Sequence, residues 1–216
     1  MLKLELGGNR QSLRVLCLGA HSDDLEIGCV GTLLEWFGKY PAVEVTWAVM
    51  SAAGDRAQEA RRSANALLRG ASRRNILLRE FKDGFLPAHF AEAKDLFEEL
   101  KATEAPDVIL THRLEDRHQD HRLVAELTWQ TWRDHLILEY EIPKYEGDLG
   151  QPNVYVPVST RIAKRKIEHL MRHFGSQRSK AWFVPTTFLS LMQLRGIECR
   201  AASGLAEAYH VRKAVI

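Results

Sequence analysis

Two short segments of this 216-residue chain concentrate side chains that can hold a metal and move protons. One is the tetrad His21-Ser22-Asp23-Asp24; the other is the stretch T-H-R-L-E-D-R-H-Q-D-H from Thr111 to His121. A hydrolytic zinc site needs three protein ligands, commonly imidazole or carboxylate, and one open position for the water it activates. His21 and Asp24, three apart at a strand-to-helix turn, can both point at one atom, and His121 completes the set if it opens the helix that follows. Zinc is the favoured ion, and iron(II) also accepts this mixed donor set. Asp23 lies beside a ligand but faces differently, so it can take a proton from the activated water. His118 can donate a proton to a departing amine or stabilise an oxyanion, with Asp120 fixing its tautomer.

Singly, each of these groups has a plainer explanation. An Asp after a strand often caps a helix, and a His in a loop is usually just solvated. Two such clusters, each following a strand, are difficult to explain by capping, and together they point to a metal site.

The elements that must position them read as alternating strands and helices. Residues 13–20, 43–50, 75–81 and 107–111 are apolar, branched runs of strand length, and residues 31–38, 56–68 and 90–102 carry helical periodicity. Strand, helix, strand, helix in this order predicts a Rossmann-like α/β fold, a mostly parallel sheet with helices on both faces. Polar residues just past the carboxyl ends of such strands gather along one sheet edge, where ligands bind. Beyond about residue 138 the pattern changes. E-Y-E-I-P-K-Y and N-V-Y-V-P-V-S predict two more strands, residues 160–174 and 186–194 two helices, and residues 209–211 a last strand, all read as a C-terminal elaboration of one domain spanning residues 1–216.

Composition narrows the function. With 30 basic and 28 acidic residues the formal charge is +2, which gives no field to recruit nucleic acid or an acidic membrane. The longest apolar runs fall far short of the ~20 residues that span a bilayer, and the chain is read as cytoplasmic. Cys17, Cys29 and Cys199 form no C-x-x-C pair, so neither a disulfide framework nor a cysteine zinc site is expected.

The stretch A-H-S-D-D-L-E-I-G-C-V-G-T-L closely resembles the A-H-P-D-D region of the PIG-L/LmbE-like zinc deacetylases, and H-R-L-E-D-R-H-Q-D-H-R resembles their second motif. Arg56 with Glu59, K-D-G near Asp83, E-I-P-K-Y, Q-P-N-V, G-S-Q-R-S and A-E-A-Y extend the likeness along most of the chain. The resemblance implies His21, Asp24 and His121 as metal ligands, Asp23 as general base, His118 as acid or electrostatic catalyst and Asp120 as its orienting partner. It also implies removal of an acetyl group from a small acetamido compound of the N-acetylglucosamine type. Ser22 replaces the usual proline and Leu25 an acidic residue, departures that touch substrate preference more than catalysis. Arg56 resembles an arginine near the substrate, and His210, in the last strand, is a further candidate for reaching it. The site leaves room for a homo-oligomer.

Three alternatives compete. A dinucleotide-binding module needs a G-x-G-x-x-G loop where this chain has H-S-D-D. A metal-dependent phosphoesterase with two ions needs more carboxylates than these segments offer. A non-catalytic member that kept the fold to bind a metal or ligand would not need the complete set of acid and base groups found here.

Overall fold

In the computed structural model, residues 5–6 and 12–215 are described. The strands are β1 (Ser12–His21), β2 (Ala42–Ser51), β3 (Arg73–Leu78), β4 (Val108–Thr111), β5 (Leu136–Tyr140), β6 (Val154–Pro157) and β7 (Ala206–His210). They are joined by the helices α1 (Asp24–Gly28), α2 (Val30–Lys39), α3 (Gly54–Leu67), α4 (Phe90–Thr103), α5 (Gln119–Thr131), α6 (Thr160–His173) and α7 (Pro185–Cys199). All seven strands form one sheet in the order β3-β2-β1-β4-β5-β7-β6. β3, β2, β1, β4 and β5 run parallel, while β7 pairs antiparallel with both β5 and β6. The expected mostly parallel sheet is therefore present, and its C-terminal elaboration is the antiparallel edge.

The buried pattern of β1 shows why it is central. Leu13, Val15 and Cys17 join the core under α2, α3, α6 and α7, whereas Leu16, Leu18 and Ala20 join the core under α4 and α5. A strand covered on both faces must be apolar at consecutive positions, which is what L-R-V-L-C-L-G-A supplies. Because successive side chains alternate, the same strand serves two separate cores.

The chain leaves β1 towards β2 and returns to β4 on the opposite side of β1. That reversal opens a crevice at the carboxyl ends of β1 and β4. Both polar clusters start there: His21 is the last residue of β1, and His112 follows directly on β4. The helical segment after β1 is broken at Cys29 into α1 and α2, where the sequence predicted one helix beginning near residue 31. Gly28 sits at that break against the ring of Tyr140, where any Cβ would collide. The Tyr140 hydroxyl in turn donates to the Leu18 carbonyl at 2.7 Å, so the turn carrying the aspartates is packed onto β1 and β5 at once.

Candidate functional site

His21, Asp24 and His121 converge as their residue types demand. His21 Nδ1 lies 3.1 Å from His121 Nε2 and 3.4 Å from Asp24 Oδ2, and Asp24 Oδ1 lies 3.6 Å from His121 Nε2. Three donors bound tetrahedrally at 2.0–2.1 Å from a zinc ion would stand about 3.3 Å apart. The spacings lie near that value, with Asp24 turning one carboxylate oxygen to each histidine.

The outer hydrogen bonds decide which nitrogens face inward. Asp116 Oδ2 lies 2.9 Å from His121 Nδ1, so that nitrogen carries the hydrogen and Nε2 is bare. Asp120 Oδ2 at 3.1 Å and Asp83 Oδ1 at 3.2 Å take the Nε2 hydrogen of His21, so its Nδ1 faces the bare His121 nitrogen beside a carboxylate. That contact is favourable only with a proton or a cation between the two nitrogens. With protons alone, burial opposes charge on His21, but Asp24 and Asp120 outweigh it and hold its pKa well above the usual value. Burial opposes charge on Asp24 too, yet His121, His112 and His21 hold its pKa well below the carboxylate range. Burial, helped by His112, pushes His121 down to about 3.

Asp24 is seated by the His21 backbone N–H, which donates to Oδ2 at 2.6 Å, and the same oxygen lies 3.0 Å from His112 Nε2. The His112 ring also accepts the Ala20 N–H at 2.9 Å and stacks on His121 with centroids 3.9 Å apart. Donor atoms of His21, His118 and His121 form one metal-sized group, those of Asp24, His112 and His121 a second, and those of His21, Asp83 and Asp120 a third, so the cluster offers overlapping sets that share His121 or His21.

Asp23, 4 % exposed, turns away from that centre and accepts from Arg56 Nη2 at 3.1 Å. Burial first, and then Asp24, raise its affinity for a proton, against the pull of Arg56. Arg56 also donates to Asp83 Oδ2 at 2.6 Å, so the guanidinium spans the site's rim. One turn later Glu59 accepts from the Ser176 N–H at 3.0 Å and hydroxyl at 2.6 Å. The Arg56/Glu59 pair and the G-S-Q-R-S stretch thus form one unit bordering the cleft.

His118 is the N-cap of α5, and its Nδ1 accepts the Asp120 backbone N–H at 3.3 Å. A bare Nδ1 puts the hydrogen on Nε2, and burial together with His21 lowers the pKa, so the neutral ring presents an N–H donor. This corrects one expectation. The Asp120 carboxylate does not orient the His118 ring; it takes the His21 hydrogen and accepts the Gly84 and Leu86 amides at 2.7 and 3.0 Å. The reason is local: His118, in an extended cap conformation, folds its ring back over the first turn, while Asp120 inside that turn points to the loop after β3. His210 stands opposite Glu139 at the end of β7, among Arg113, Glu115, Arg195 and Arg212, and burial depresses it to about 4. Among the described residues no contact joins it to the histidine cluster. The Ser22 hydroxyl, where the resembled family carries proline, is buried without a hydrogen-bond partner.

Sequence reasoning gave no role to Asp116, Asp83 or Lys144, although all three lie in quoted motifs. The available signal was the general requirement that a ligating imidazole donate its other N–H to a carboxylate.

The chain matches the family model described as PIG-L, GlcNAc-PI de-N-acetylase, over residues 16–132, more than half its length. It belongs to the PIG-L de-N-acetylase family. The matched span contains every member of the histidine and aspartate cluster. Among solved structures this PIG-L member is similar to an N,N'-diacetylchitobiose deacetylase from Pyrococcus horikoshii, at 20% identity and TM-score 0.71, covering 92% of this chain and 83% of that one. It is also similar to GalB, the 4-carboxy-2-hydroxymuconate hydratase from Pseudomonas putida KT2440, at 16% identity and TM-score 0.70, covering 94% and 98%. A third neighbour is Dbv21, an A40926 pseudoaglycone deacetylase, at 16% identity and TM-score 0.68, covering 94% and 99%. At these identities the likeness establishes the fold; the hydratase shows that the fold alone does not fix the reaction. No curated protein matches the chain. No helix among the described residues is long and apolar enough to cross a membrane.

Proposed function

We propose that this PIG-L member is a metal-dependent amide hydrolase that removes the N-acetyl group of a small acetamido compound, of the N-acetylglucosamine type, with zinc as the favoured ion and iron(II) also fitting the donors. The observation that carries this reading is the pair of imidazole nitrogens facing each other 3.1 Å apart beside Asp24, each ring held from behind by a carboxylate. His21, Asp24 and His121 would hold the ion, which supplies Lewis acidity when bound.

The residues around it divide the remaining work. Asp23 accepts a proton from the attacking water as the water oxygen joins the acyl carbon. Arg56, on the same aspartate, keeps that oxygen aimed into the cleft and borders the path of the sugar. The Nε2–H of His118 donates a hydrogen bond to the acyl oxygen as negative charge builds there, and the proton taken up by Asp23 passes to the amine nitrogen as the C–N bond breaks, leaving acetate and the free amine. The Asp120 carboxylate holds His21, and its backbone N–H holds His118, so it supports the ligand through the side chain and the donor through the main chain. His210 remains a candidate contact for an extended substrate, at the far side of Arg113.

The test is incubation of zinc-loaded protein with N-acetylglucosamine, its glycosides and diacetylchitobiose, following acetate and primary amine in equal amounts. Release of both supports the proposal. Phosphate release from phosphomonoesters without acetate would favour the phosphoesterase, and ligand binding with neither product would favour a non-catalytic member.

A further inference from the structure

A chain of buried charges continues outward from His121. Asp116 Oδ2 accepts from His121 Nδ1 and from Lys144 Nζ, both at 2.9 Å, and its other oxygen accepts the His118 N–H at 2.8 Å. Lys144 lies just past β5, in the E-I-P-K-Y stretch, and its side chain is 8 % exposed. Asp148 receives Nζ on both carboxylate oxygens, at 2.7 and 2.8 Å. Asp148 is itself fixed: its Oδ2 accepts the Arg117 N–H at 2.6 Å and its carbonyl accepts from Arg113 Nη1 at 2.9 Å.

A structural staple between the loops at residues 112–118 and 143–150 would explain a lysine bridging two aspartates. It does not explain which oxygen Lys144 uses. The ammonium sits on the same Asp116 oxygen that holds the His121 hydrogen, while the opposite oxygen anchors the backbone of His118. Removing a buried cation from between two buried carboxylates leaves them to repel each other, and Asp116 is then no longer held in place. Its displacement loosens the acceptor that orients the His121 ring.

We infer that Lys144 is a positioning residue for the metal centre, acting through Asp116 to hold His121 Nε2 on target. This rests on the proposal that His121 is a metal ligand. Loss of outer hydrogen-bond partners of ligating histidines costs about 10–100-fold in metal affinity, and Lys144 stands one bond further out.

The test compares wild type, Lys144→Met and Lys144→Arg by zinc affinity in chelator competition and by the visible spectrum of the cobalt(II)-loaded protein. Lys144→Met should bind zinc about tenfold more weakly and show a shifted cobalt spectrum, with Lys144→Arg returning most of both. Unchanged affinity and spectrum in Lys144→Met, even with a lowered melting temperature, would overturn the inference and leave a staple. Should Lys144→Met not fold, Asp148→Asn takes its place: a several-fold loss of zinc affinity is expected, and none overturns the inference. Wild type binding no stoichiometric ion would overturn the metal reading itself, a different result from wild type and variant binding alike.

Discussion

Two buried polar clusters in this molecule look alike in composition and differ in how completely they satisfy themselves. Around Glu207, one carboxylate oxygen accepts the Gly31 N–H at 2.8 Å and Lys166 Nζ at 2.6 Å, and the other accepts the Thr32 N–H at 2.7 Å and the Tyr209 hydroxyl at 3.1 Å. Lys166 also donates to the Ile27 carbonyl at 2.5 Å, and a Cβ on Gly31 would lie 2.6 Å from Glu207, so both carboxylate oxygens and the ammonium are paired within the protein. It satisfies the N-terminal amides of α2, which otherwise have no partner. Around His21 and His121 each ligating candidate is likewise held from outside, yet two ring nitrogens and a carboxylate are turned towards one another in the middle. Internal pairing marks scaffold. Donors held from behind around an unpaired centre mark a place built for a ligand.

Breaking the closed cluster should give the largest effect, and it should fall on stability. Glu207→Ala leaves Lys166 buried and without its counter-ion, at a cost of about 3–5 kcal/mol, which corresponds to a fall of roughly 10 °C in melting temperature for a chain of this size. Metal affinity of the folded fraction should stay near wild type. A variant that melts normally but loses its metal would reverse the roles given to the two clusters.

The open cluster should fail in the opposite manner. Asp24→Ala removes a ligand, so zinc affinity should drop by more than the 10–100-fold that outer partners are worth, with activity following occupancy. Asp23→Asn keeps shape and hydrogen bonding but accepts no proton, so kcat should fall by about 10²-fold or more with the metal retained. Metal analysis alongside turnover separates the two. If Asp23→Asn sheds the ion and Asp24→Ala keeps it, the assignments within H-S-D-D are exchanged.

Glu26 lies between these extremes. It is fully buried, takes the Ser63 hydroxyl on one oxygen and has no partner on the other. Burial, against the Ser63 hydrogen bond, raises it from 4.5 to about 8. The folded state therefore holds a proton that the unfolded chain has released, and the associated stability is complete below pH 4.5 and lost as pH rises towards 8. The slope is at most about 1.4 kcal/mol per pH unit. Glu26→Gln removes this titration, so its melting temperature relative to wild type should rise between pH 5 and pH 8.5. Parallel curves at the two pH values would contradict the assignment.

The sheet was legible because its strands are read from runs of apolar residues, and β1 and β4, buried on both faces, carry the plainest runs. Boundaries were less so. The strand expected at E-Y-E-I-P-K-Y lies earlier, at Leu136–Tyr140: it starts in the apolar L-I-L run and ends before Pro143, which has no N–H to give to a ladder, while Glu139 is buried within it, accepting from Trp129 Nε1 at 2.5 Å and Arg212 Nε at 3.0 Å. In the site, spacing singled out His21, Asp24 and His121, whose side chains the fold brings within 3.6 Å of one another. The outer partners were hidden because hydrogen-bond direction depends on rotamers and cap geometry. Asp120 was paired with its sequence neighbour His118, when the turn sends its carboxylate to His21, 99 residues away. Asp116 and Lys144 meet across 28 residues that no motif connects.

The central claim is that the facing nitrogens of His21 and His121 are built for a divalent ion. Zinc titrated calorimetrically into metal-free protein at pH 7, in two buffers of different ionisation enthalpy, tests it directly. The geometry predicts one ion per chain, with about one proton released as the cation replaces the hydrogen between the two rings. Binding that is absent, or that is stoichiometric but unaffected by His21→Ala, would contradict it.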